Sequence, residues 1–112
     1  MLAGDLNAHH GPALAEDGTT LQPRALPALL GDGALRCAYA EASGAPPGFT
    51  YLAGWSNREV KMAFDHVLLR GGVAAAAALL PPSEGDIEGG VLLPNANFPS
   101  GHLSLVVDLD FV

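Results

Sequence analysis

Cysteine is nearly missing: Cys37 is the one thiol in 112 residues. That excludes an intramolecular disulfide and any multi-cysteine zinc site. It fits a reducing compartment, so an intracellular, cytoplasmic location is expected. Positive charge is scarce as well. Five basic residues stand against 12 acids, for a formal net charge of −7. Phosphate backbones are gripped by clustered Lys and Arg, whereas Arg24, Arg36, Arg58, Lys61 and Arg70 are scattered along the chain. The charge pattern therefore argues against a non-specific nucleic-acid surface. Long apolar runs are absent too. The longest, residues 73–80, is far short of the roughly 20 residues that span a bilayer, and Met1-Leu2-Ala3-Gly4-Asp5 lacks the basic start of a targeting segment. No membrane partner is expected. Aromatics make up 6%, so any core must be built from small aliphatics.

What is present is abundant Ala, Leu and Val within 49% hydrophobic residues, punctuated by 14 Gly and 9 Pro. Such a chain folds, but in short elements joined by many turns. Residues 1–8 read as a strand end entering a turn, and residues 8–22 as loop. Residues 23–36 carry Leu26, Leu29 and Leu30 on a partial stripe, which predicts a helix that Gly31 and Gly33 end. Residues 35–42 fit either more helix or a short extended piece. Residues 49–52 and 60–69 read as two strands of a hairpin. The alanine run 74–78 has high helix propensity, but its bounds, Gly71-Gly72 and Pro81-Pro82, favour a buried strand. Residues 81–90 read as an acidic surface loop. Leu103, Leu105, Val107, Leu109 and Phe111 alternate with polar or smaller residues, the period of a half-buried strand. One compact α/β unit with consecutive strands is expected.

Three places carry candidate chemistry. His102 sits in the polar turn Pro99-Ser100-Gly101-His102 before the last strand, where a rigid element can aim it. Asp65 falls among apolar neighbours and needs a partner if buried. Asp5 and Asn7, two apart in Gly4-Asp5-Leu6-Asn7, point to one side of an extended chain, although an ordinary Asx turn is the plainer reading. His9 and His10 read as a solvated loop pair.

Taken in order, Gly4-Asp5-Leu6-Asn7-Ala8, Phe64-Asp65-His66-Val67-Leu68 and Leu93-Pro94-Asn95-Ala96-Asn97-Phe98-Pro99-Ser100-Gly101-His102-Leu103-Ser104-Leu105-Val106 resemble the C-terminal half of the endonuclease/exonuclease/phosphatase superfamily. The nearest group is that of nocturnin, angel and the carbon-catabolite-repressor deadenylases, and Phe49-Thr50 fits it as well. The resemblance implies half of a four-layer α/β sandwich with mostly antiparallel sheets. It implies Mg²⁺- or Mn²⁺-dependent hydrolysis of a phosphate ester, with RNA 3′ ends or a nucleotide as substrate. It also assigns roles. Asp5 would orient and deprotonate water and share in holding the metal. Asn7 would offer a neutral amide to the phosphoryl oxygens, and His102 would contact the scissile phosphate as a donor. Asp65 would fix the histidine tautomer and favour its protonated form.

Two departures set limits. The group's metal-binding Glu belongs to an N-terminal half that these 112 residues would lack, and Gly101 stands where the group has Asp. The expectations that follow are a partial domain over residues 1–112, little or no turnover by this polypeptide alone, a loosened turn at Gly101, and self-association through uncovered sheet surface. The alternative is a non-catalytic remnant or interaction module of the same fold.

Overall fold

In a computed structural model, residues 1–14, 17–55, 58–83, 85–87 and 92–111 are described. The elements are short and mostly extended: β1 (Leu2–Asp5), β2 (Ala13–Leu14), β3 (Thr20–Leu21), α1 (Ala25–Leu30), β4 (Arg36–Cys37), α2 (Ala38–Ser43), β5 (Tyr51–Trp55), β6 (Arg58–Met62), β7 (Asp65–Leu69), β8 (Val73–Leu79) and β9 (Val106–Phe111). Among the described residues these form four small antiparallel sheets: β1-β7-β4, β2-β3, β5-β6 and β8-β9. The architecture is α/β with antiparallel pairing, as the sequence suggests.

Several elements differ from the sequence reading, each for a local reason. The stretch read as loop at residues 8–22 contains the small β2-β3 ladder. The helix expected over 23–36 is α1 alone. Pro27 falls in its first turn, where its missing N–H is no loss, and at Gly31 a β-carbon would lie 2.7 Å from the Pro27 carbonyl oxygen. Residues 35–42 turn out to be both alternatives, β4 followed by α2. The latter stops where Gly44 enters the left-handed region at φ 88° and donates its N–H to Ala40 O, as glycine readily does.

The single strand expected over 60–69 is two strands. The Thr50 N–H continues the β5-β6 pairing by donating to Met62 O at 2.9 Å. Its side chain then interrupts the next step: Oγ1 accepts the N–H groups of both Phe64 and Asp65 at 3.0 Å. That capture bends the chain between β6 and β7. The alanine run is strand, as expected. It is too short for a helix to hold itself, and β8 gains a full partner in β9, with a bulge between Ala75 and Ala77. The α2 side chains secure it. Glu41 accepts the Ala75 N–H at 3.0 Å and pairs with Arg36 at 2.8 Å. Tyr39, fully buried, accepts the Val106 N–H at 2.6 Å.

Two apolar clusters position the site. One joins Leu26, Ala8 and Leu68, tying α1 and the loop after β1 to β7. The other joins Phe49, Leu52, Ile87, Leu93 and Leu103. Ile87 is fully buried, so the loop expected to be all surface at 81–90 contributes a core residue. The terminal strand is shorter than expected, but its alternation holds: Leu103, Leu105, Val107 and Leu109 face inward while Ser104, Val106, Asp108 and Asp110 are exposed. Phe111 breaks the pattern and is exposed.

Candidate active site

The sheet places two acids side by side. Asp5 and Asp65 are register partners in β1 and β7, and the Leu6 N–H to Phe64 O bond of 3.0 Å next to them marks a non-hydrogen-bonded pair, the kind whose side chains stand closest. Like charges directly opposite are unfavourable. A histidine from a third segment reaches both acids. His102 Nδ1 lies 2.8 Å from Asp65 Oδ2, and its Nε2 lies 3.9 Å from Asp5 Oδ2. The first is a hydrogen bond; the second lies beyond bonding distance and is an ion pair only when the imidazole carries a second proton. A carboxylate only accepts, so Asp65 selects the tautomer with the proton on Nδ1 and leaves Nε2 turned toward Asp5.

Asp65 is itself fixed. Thr50, fully buried, donates its hydroxyl to Asp65 Oδ2 at 2.7 Å while accepting the two backbone amides described above. The Thr50 side chain is therefore saturated, and the carboxylate oxygen it holds, Oδ2, is the one that orients His102. Asp5 is held differently. Its Oδ1 accepts the Asn7 N–H at 2.8 Å. The Asx turn is therefore real, and it coexists with the meeting of Asp5 and His102 rather than replacing it. Asn7 adopts φ 46°, a conformation Asn tolerates.

The turn before His102 is tight, not loosened by Gly101. Ser100 Oγ accepts the His102 N–H at 3.1 Å. The Leu52 N–H donates to Gly101 O at 3.2 Å and the Leu103 N–H to Thr50 O at 2.7 Å, so residues 101–103 dock as an extra strand on the end of β5.

The structure thus brings together Asp5, Asp65 and His102. Ligand atoms of these three lie within 4.8 Å of one another. Asn7 is exposed and lines a neighbouring cavity of about 480 Å³ with His9, Thr20 and Arg24. Thr50 carries the carboxylate, but the sequence reading gave it no role; its signal was a Thr placed one element before an Asp among apolar residues. His9 and His10 are not a solvated pair. His10 Nε2 is buried with no partner among the described residues, and its ring meets that of His66 edge-on at 5.3 Å. Burial, followed by the charges of His66 and His9, lowers its pKa from 6.5. His66 is buried and donates from Nε2 to Ala8 O at 2.6 Å.

The pattern of the Endonuclease/Exonuclease/phosphatase family matches residues 1–100. The chain belongs to this family. Asp5, Asn7 and Asp65 fall inside the matched stretch and His102 lies just beyond it. No curated protein and no solved structure matches the chain. Members of the family hydrolyse phosphate esters as nucleases or phosphatases and in general depend on a divalent metal. The donor set is compatible with that dependence. Magnesium is commonly held by one or two carboxylates, with water and substrate phosphate completing the shell, and Asp5 with Asp65 supplies two carboxylates next to one imidazole. Among the described residues, no helix is long and apolar enough to cross a membrane.

Proposed function

We propose that the Asp5–Asp65–His102 cluster is part of the phosphate-ester site of a divalent-metal-dependent hydrolase, acting on RNA 3′ ends or on a nucleotide as the nocturnin, angel and carbon-catabolite-repressor group does. The observation that carries the reading is the imidazole held between two register-paired carboxylates. Mg²⁺ or Mn²⁺, held by Asp5 with Asp65 nearby, would neutralise phosphate charge and lower the pKa of a bound water. Asp5 orients water and takes its proton as the oxygen attacks phosphorus and the bond to the leaving alcohol breaks. His102, its Nδ1 proton committed to Asp65, faces the phosphoryl oxygens through Nε2, which donates to them when substrate binding brings it a second proton. Asn7, exposed and two residues from Asp5, would add a neutral amide donor.

A second reading, a binding module without turnover, is favoured by Gly101, which leaves one carboxylate fewer next to the histidine than the group has. The two readings separate in one set of solutions. Titrating the protein with a nucleoside 3′-monophosphate and MgCl₂ should shift the NMR signals of His102 and Asn7, and His102→Ala should abolish the Asn7 shift. No shift at millimolar nucleotide would reject both. On the hydrolase reading the shifts require MgCl₂ and disappear in EDTA, whereas on the module reading they persist in EDTA; hydrolysis of bis(p-nitrophenyl) phosphate by this chain is expected to stay near the uncatalysed rate on both. Turnover well above that, lost in His102→Ala, would reject the module reading.

A further inference from the structure

We propose that Tyr51 is the positioning residue for His102, and that Gly101 is the residue that makes room for it. One hydrogen bond to Asp65 fixes one atom of the imidazole but not the plane of the ring, and the His102 side chain is 36% exposed, so packing on that side is incomplete. Tyr51 supplies the second constraint.

Tyr51 and His102 are bridge partners. The flanking Leu52 N–H to Gly101 O and Leu103 N–H to Thr50 O bonds make theirs a non-hydrogen-bonded pair with side chains closely opposed. Their rings meet edge-on, centroids 4.8 Å apart at 62°, an arrangement aromatic rings favour. The same Tyr51 ring leans on Phe64 at 5.5 Å, and Phe64 directly precedes Asp65. One ring is thus wedged between the histidine and the segment that carries its acid.

The wedge is tight against Gly101. A β-carbon on residue 101 would come within 3.2 Å of Tyr51 Cε2 and 3.5 Å of Ala53 Cβ. A side chain there asks the Tyr51 ring to give by a few tenths of an ångström, and the plane of His102 to follow it. Positions 51 and 101 are therefore coupled through shape, with no part for the tyrosine hydroxyl. The relevance of this coupling to hydrolysis rests on the function proposed above; the effect on His102 does not.

Four variants test it: Tyr51→Phe, Tyr51→Leu, Gly101→Ala, and the double variant that combines Tyr51→Leu with Gly101→Ala. The readouts are the His102 tautomer from long-range ¹H–¹⁵N correlations and the ring-current shift of its carbon-bound protons. Tyr51→Phe should keep both. Tyr51→Leu should lose the ring-current shift and the strict Nδ1–H tautomer. Gly101→Ala should disturb both in the wild-type background and add nothing when Tyr51→Leu is already present. Retention of the tautomer in folded Tyr51→Leu would overturn the proposal, as would an equal Gly101→Ala effect in both backgrounds. Gly101→Ala adds only a methyl group, so wild-type His102 signals in that variant overturn it even if Tyr51→Leu does not fold. Failure of the nucleotide titration would reject the functional reading and leave this result standing.

Discussion

Asp65 and His66 are neighbours in β7, and the strand turns them to opposite faces. Two histidine environments result. On one face His102 has a carboxylate at 2.8 Å and another at 3.9 Å, and stays partly exposed. On the other, His10 sits against His66 with a buried nitrogen and no partner among the described residues. The first face is organised by charge and hydrogen bonding, the second by packing. A histidine with acids beside it and an open edge is suited to meet a ligand, whereas one pressed against another histidine is suited to stay neutral and fill space.

The largest change should come from removing the support of the first face. Thr50→Val keeps the shape but strips the hydroxyl from two backbone amides and a carboxylate, leaving each short of a partner. A loss of about 2–4 kcal/mol in urea unfolding is expected, at the upper end for one residue because each unsatisfied buried group costs roughly 1–3 kcal/mol. If Thr50→Val is no worse than an average surface change, the charged face is not what organises the site.

Away from both faces, Tyr39→Phe removes the acceptor for the Val106 N–H at the end of the β8-β9 ladder. About 1–3 kcal/mol should be lost on the same grounds, with hydrogen exchange accelerating at Val106 while His102 signals do not move. Movement at His102 would show that the two ends of the molecule are coupled.

The packed face should reveal itself through pH. The folded-state pKa of His10 lies below 6.5, so the unfolded chain binds protons more readily at this position. Its contribution to stability is complete above pH 6.5 and is lost as pH falls from there through the folded pKa. His10→Phe should flatten that part of the stability profile relative to wild type. An unchanged acid slope would mean His10 is not buried neutral. The smallest effect is expected for Glu41→Gln, whose partly exposed pairing with Arg36 is of the kind worth little; chemical denaturation should barely register it.

Much of the site was legible through the family resemblance rather than through spacing. By pattern alone Asp5 reads as an ordinary turn residue and Asp65 as a polar group among apolar neighbours; the resemblance singled out both with His102, and the structure gathers all three. The alanine strand was legible from its Gly-Gly and Pro-Pro bounds. What was not legible came from contacts across the chain. The break between β6 and β7 is made by the hydroxyl of Thr50, from another segment, and no local pattern in residues 60–69 announces it. The burial of His10 Nε2 and of Ile87 likewise depends on what folds back over them. Gly101 looked like a loose point because the ring that fills the space beside it lies some fifty positions earlier in the chain.

The most direct measurement follows paramagnetic broadening as Mn²⁺ is added in substoichiometric steps together with a nucleoside monophosphate. With 12 acids in the chain, diffuse binding is a real competitor. We expect signals of Asp5, Asp65 and His102 to broaden first and together, and the effect to be lost in Asp5→Asn. Broadening that begins at the exposed Asp108 and Asp110, or that spreads evenly over the acidic surface, would contradict a metal-dependent phosphate-ester site at this cluster.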